Sequence, residues 1–203
     1  MQTKTGNPAV IGLAGFGITT FVLQMANIGL LENMGPVLWL GVFVGGLAQM
    51  VAGFQTGKTG NNFGYSAFTI YGAFWLAFAG ILAGNELGFY AASHTDIGFF
   101  LLPFAIYTGI MFYAALHVHT AEASIFGSLF LGFILLVLGH FGPAFFNVIA
   151  GYVLILCSFC AWYVMAHIIY KDICGRDVLP VGSPVLQPGG KATGAGADAV
   201  AAE

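Results

Sequence analysis

The side chains of this chain that are placed to do chemistry are neutral. Thr19, Thr20 and Gln24, then Gln49, Ser66, Thr69 and Tyr71, then Tyr107, Thr108, Ser128 and Asn147 all lie in long stretches without Asp, Glu, Lys or Arg. Such groups give and accept hydrogen bonds without carrying charge, which suits the passage of a small polar solute better than acid–base catalysis. A Ser or Thr hydroxyl can also bond back to its own helix. Gln49 has no such outlet, because a carboxamide in hydrocarbon needs partners on other helices or a polar guest. Asn7-Pro8 and Gly142-Pro143 open two of the stretches, where N-terminal helix amides can meet an anion.

Two other groupings suggest metal or redox chemistry. His117-Val118-His119 with Glu122 falls between stretches, where histidines are usually solvated, and proximity in sequence does not supply a full ligand set. Cys157 and Cys160 share a helix face as small apolar residues, and Cys174 makes the cysteine count odd. His94 and His140 fall in loops and His167 near a helix end, so paired haem ligands are not apparent. No metal, no cofactor and no enzymatic activity are expected.

The elements that must position the neutral groups follow from the charge pattern. Residues 5–31, 33–57, 59–85, 97–121 and 123–170 contain no Asp, Glu, Lys or Arg. A helix crosses a hydrocarbon core of about 30 Å with about 20 residues, so each stretch is long enough, and the last holds two crossings split at His140-Phe141-Gly142-Pro143. The sequence thus predicts an all-α membrane protein, a bundle of six transmembrane helices near 8–30, 36–55, 63–82, 97–116, 123–138 and 143–170. Charged residues make up 6% of the chain, against roughly 25% in an ordinary soluble domain. No basic footprint for nucleic acid exists.

Lys4, Lys58, Lys171, Arg176 and Lys191 fall on one side of that bundle, which the positive-inside rule makes cytoplasmic. Both termini are therefore expected in the cytoplasm, with Glu32, Glu86 and Asp96 outside. Residues 1–7 form a short cytoplasmic segment, 8–179 the membrane domain, and 180–203, rich in Pro, Gly and Ala, a disordered cytoplasmic tail. Glycines such as Gly12, Gly15, Gly17, Gly45 and Gly46 predict close helix packing.

Gly6-Asn7-Pro8-Ala9-Val10-Ile11-Gly12-Leu13 resembles the Asn-Pro-Ala-Pro-Leu-Gly-Leu signature of the acetate uptake transporter family, the succinate/acetate permeases, with Val10 and Ile11 in place of Pro and Leu. Gly15-Phe16-Gly17 with Thr19-Thr20, Gly45-Gly46-Leu47-Ala48-Gln49, Gly60-Asn61-Asn62-Phe63-Gly64 and Thr69-Ile70-Tyr71-Gly72-Ala73-Phe74-Trp75 extend the likeness. Gly175-Arg176-Asp177-Val178-Leu179-Pro180-Val181-Gly182 is similar to the family's cytoplasmic end.

The resemblance implies a homohexamer of six-helix protomers in the cytoplasmic (inner) membrane. Each protomer would have its own pore for acetate, and also for succinate and other small monocarboxylates. It implies a hydrophobic constriction of Phe, Tyr and Leu, matched by Phe16, Tyr71 and, through the looser Gly127-Ser128-Leu129, by Leu129. Asn7, Thr19, Thr20, Gln49, Ser66 and Thr69 are then expected along the substrate pathway. Span geometry agrees in one respect: Phe16, Tyr71 and Leu129 each lie six to eight residues into spans entering from the same side, about 9–12 Å deep. Other readings are a channel for formate, ammonia or glycerol and a membrane redox or metal protein. An aquaporin would need a second Asn-Pro-Ala and an intramembrane Arg, and this chain has neither.

Overall fold

The structure is a computed structural model in which residues 6–187 are described. Six helices cross the molecule: α1 (Ala9–Asn27), α2 (Gly35–Lys58), α3 (Asn62–Glu86), α4 (His94–Ala115), α5 (Thr120–Phe141) and α6 (Phe145–Cys174). Each is long and apolar enough to span a bilayer, and no strand occurs among the described residues. The chain is a multi-pass membrane protein of the expected all-α class.

Helix starts are set by side-chain caps that replace missing intrahelical partners. The Asn61 carboxamide accepts the Gly64 N–H at 2.8 Å to open α3. Ser93 and Asp96 form a reciprocal capping box that starts α4 at His94, ahead of the expected Ile97. At α5 the His119 Nδ1 accepts the Glu122 N–H at 2.9 Å, so the helix begins at Thr120 rather than Ala123.

Around the bundle, α1 packs between α2 and α6, α5 between α4 and α6, and α2 against α3. The α3–α4 contact is made by side chains: Phe74 lies 4.8 Å from Phe104 and 5.4 Å from Phe100, ring centre to ring centre. Helix α2 is not regular, since Phe43–Ala48 winds as a π-turn. The turn presses on α1 and α3 so closely that a Cβ on Gly15 would sit 2.6 Å from the Val44 carbonyl. One on Gly45 would sit 2.7 Å from Thr19 Oγ1 and 2.8 Å from the Trp75 ring. Small residues let apolar helices gain dispersion contacts that lipid would otherwise supply.

The expectation for the C-terminal side needs correction. Gly175, at φ +66°, ends α6 in the left-handed region and donates its N–H to Lys171 O at 3.0 Å, turning the chain back on itself. Residues 180–186 then hydrogen-bond to the bundle instead of forming part of a disordered tail, because backbone carbonyls anchor them without any need for apolar side chains. Residues 1–5 and 188–203, with Lys4, Lys191 and the rest of that expected tail, lie outside the described residues. Ala9 of α1 and Val181-Gly182 line one cavity, so both ends of the described chain meet at the same face.

Candidate functional site

Two of the cavities among the described residues lie inside the bundle. The larger, about 410 Å³, opens at the face that carries both chain ends. The smaller, about 30 Å³, lies deeper, among Leu23, Gln24, Phe74, Leu136 and Leu154. The linings of the two have three residues in common: Phe16 of α1, Tyr71 of α3 and Leu129 of α5. All three are buried, and the Phe16 and Tyr71 rings stand 6.1 Å apart at 52°.

Tyr71 is a phenol, yet its hydroxyl points away from the axis. Its oxygen lies 2.8 Å from Thr108 Oγ1, which is 2.6 Å from Phe104 O. A carbonyl only accepts, so Thr108 gives its proton to Phe104 and Tyr71 must donate to Thr108. The shared wall of the two cavities is therefore apolar: two ring surfaces and a Leu side chain.

A neutral polar atom stands without a partner on either side of that wall. Gln49 faces the larger cavity and is 1% exposed, and its Oε1 has no hydrogen-bond partner. Thr20 faces the smaller cavity at 3% exposure with Oγ1 likewise unpartnered. Such an atom costs roughly 1–3 kcal/mol if left unsatisfied, and Thr69 Oγ1, His140 Nδ1 and Asn147 Oδ1, away from both cavities, are unpartnered too. Gln24, also on the smaller cavity, accepts from Asn27 at 2.7 Å.

The other expected pathway residues point elsewhere. Thr19 directs its hydroxyl to Leu40 O at 3.5 Å, and Ser66 pairs with the Tyr107 hydroxyl at 2.9 Å. Thr69 packs where a Cβ on Gly53 would strike it, on the α2–α3 seam. Asn7 caps α1, accepting the Ala9 N–H at 2.9 Å. None of these four lines either cavity. Thr19 and Thr20 are adjacent residues about 100° apart around a helix, so facing the axis with one turns the other to a neighbouring helix.

Sequence reasoning passed over the mouth of the larger cavity. His119, Glu122, His167, Lys171 and Asp177 line it together with residues 179–182. From sequence the His119 loop reads as solvated and His167 as a helix-end residue, because the return of the chain over α6 leaves no local signal. Accepting the Glu122 N–H fixes the neutral form of His119 as the Nε2–H tautomer. Burial, with a smaller contribution from His167, pushes its pKa below the ordinary histidine value. Lys171 Nζ meets Asp177 at 3.0 Å. Among the described residues no three His, Cys, Asp or Glu side chains come together as a metal site, and Cys157 donates to Ile125 O at 3.3 Å.

Comparison with known proteins decides the family, since residues 1–174 match the GPR1/FUN34/yaaH family. The chain belongs to the GPR1/FUN34/yaaH family. Within it, the chain is 38% identical over 183 residues to the succinate-acetate/proton symporter SatP of Escherichia coli K12, covering 89% of this chain and 97% of that protein. It is 32% identical over 209 residues to acetate permease A of Emericella nidulans, covering 93% of this chain and 70% of the permease. The solved structure of the bacterial acetate channel SatP superposes with a TM-score of 0.85 at 38% identity, covering 88% of this chain and all of that one. Together, the GPR1/FUN34/yaaH membership and the shared fold extend over nearly the whole bundle.

Proposed function

We propose that this chain carries acetate and related small carboxylates, including succinate, across the cytoplasmic membrane through a path inside its own six-helix bundle. The observation that carries the reading is that two internal cavities have Phe16, Tyr71 and Leu129 in common. A path along the axis narrows at those side chains. Hydrated inorganic ions cannot shed water against an apolar ring without replacement ligands. A carboxylate presents a methyl or methylene to the ring and meets Gln49 on one side and Thr20 on the other. SatP and acetate permease A, relatives at 38% and 32% identity, carry names for this class of substrate.

By the same reading Lys58, Lys171 and Arg176 place the larger cavity at the cytoplasmic side. Protomers assemble as a homohexamer with one path in each, as the family resemblance implies. The deciding experiment is uptake of labelled acetate by liposomes containing only this protein, corrected for empty liposomes, with formate, lactate, succinate and glycerol as competitors. Competition by carboxylates and none by glycerol is expected. Glycerol competition without carboxylate competition would replace this reading with that of a neutral-solute channel.

A further inference from the structure

After Gly175 the chain runs back over the mouth as a strap, with Asp177 and residues 179–182 forming one wall of the larger cavity. Five bonds hold its backbone. His167 Nδ1–H reaches Leu179 O at 2.6 Å and the Tyr163 hydroxyl reaches Pro180 O at 2.7 Å. Ala121 N–H meets Val181 O at 2.9 Å, Thr120 Oγ1 meets Ser183 O at 2.8 Å, and Leu186 N–H meets Leu116 O at 2.9 Å.

The strap's Asp177 makes a different kind of contact. Its carboxylate lies 3.0 Å from Lys171 Nζ and 3.8 Å from His167 Nε2. Among the described residues, Lys171 is the one Lys or Arg in the lining of this cavity. A carboxylate thus already rests on the single Lys or Arg that the described residues bring to the mouth of a path proposed for carboxylates.

We infer that Lys171 forms a carboxylate-docking site at this mouth, and that Asp177 fills it as a tethered substitute that holds the strap closed. The inference rests on the transport reading for its purpose, while the site itself stands on the geometry. The pair is suited to exchange: Lys171 is 44% and Asp177 63% exposed, and exposed ion pairs hold weakly. Tethering gives Asp177 an effective concentration on the order of millimolar, so free carboxylate competes for the site in that range. Incoming substrate releases Asp177 from Lys171, and the strap loses one of its anchors when a cargo arrives.

The test uses the full chain in liposomes, with Cys157, Cys160 and Cys174 replaced where thiols are needed. In uptake assays Asp177→Asn should lower the half-saturating acetate concentration by about fivefold or more, and adding Lys171→Met should abolish that gain. Joining Thr120→Cys to Ser183→Cys with a short bismaleimide should slow flux by a similar factor. A readout independent of transport is maleimide labelling of Val181→Cys, half-buried on the cavity wall, which millimolar acetate should accelerate while equal chloride does not. Unchanged saturation in Asp177→Asn, or labelling indifferent to acetate, overturns the strap inference while wild-type uptake leaves the transport reading intact. Wild-type vesicles that take up no acetate overturn the transport reading instead, and the labelling arm still judges the docking site.

Discussion

Tyr71 spends its hydroxyl proton on Thr108 and leaves a ring face toward Phe16 and Leu129, so on the proposed path volume rather than polarity governs what passes between them. Replacing Phe16 or Tyr71 by Ala opens the narrowest point, and lactate should gain flux relative to acetate. Tyr71→Phe keeps the ring and loses one bond, so it should keep the wild-type flux ratio at a cost of about 1 kcal/mol in stability. Ordinary packing residues would behave otherwise, with 3–5 kcal/mol lost for Phe→Ala as a rough scale and no change in selectivity. Flux ratios and thermal stability measured on the same vesicles separate the two. Thr20 gives a second residue-level prediction. Its hydroxyl has no protein partner, so Thr20→Val loses no hydrogen bond and should fold at least as stably. If Thr20 meets the passing carboxylate, uptake should fall by about tenfold, the worth of one hydrogen bond of roughly 1.4 kcal/mol. Unaltered uptake in folded Thr20→Val would take this residue off the path.

At the level of elements, the π-turn of α2 is what presents Gln49 to the cavity from a helix that otherwise stands outside its lining. Gly45 permits that turn to touch α1 and α3. A Cβ there would press on Thr19 and Trp75, neither of which has a free direction to retreat, since both are fully or nearly buried. Gly45→Ala should therefore cost about 1–3 kcal/mol through overpacking and shift Gln49, raising the half-saturating acetate concentration. Thermal unfolding unchanged from wild type would show that the turn yields freely. This turn was not legible in the sequence, because Gly45-Gly46 reads as small-residue packing whether the helix is α or π. The six spans were legible, since the hydrocarbon thickness dictates their length and a charge-free stretch has few other uses. Phe16, Tyr71 and Leu129 could be set at one depth by counting residues, but their common place between two cavities needed coordinates. That Thr19, Ser66 and Thr69 stand off the two cavity linings was not legible for the opposite reason, as residue type gives depth and hydrogen-bonding capacity without rotation about the helix axis. The strap was missed because its composition suits disorder, while its bonds run through carbonyls that every residue has.

For the whole molecule, the question is which face of the bundle sees the cytoplasm. Lys58 ends α2, Lys171 lies in the last turn of α6 and Arg176 opens the strap, all at the face where the larger cavity and both ends of the described chain lie. Glu32, Glu86 and Asp96 mark the opposite ends of α1, α3 and α4. Basic residues close to span ends are retained on the cytoplasmic side during insertion, whereas acidic residues have little say, so Lys58, Lys171 and Arg176 are the residues on which the proposed orientation rests. In that proposed orientation the larger cavity opens inward, and the strap stands at the cytoplasmic mouth of the proposed path. Single cysteines tested one at a time in intact cells, with Cys157, Cys160 and Cys174 replaced, read this directly. Cysteine at Glu32 or Asp96 should react with a membrane-impermeant maleimide added outside, while cysteine at Lys58 should react only after permeabilisation. The inverse pattern would turn the bundle over and put the strap on the outer face, where it would meet carboxylates before entry rather than after release.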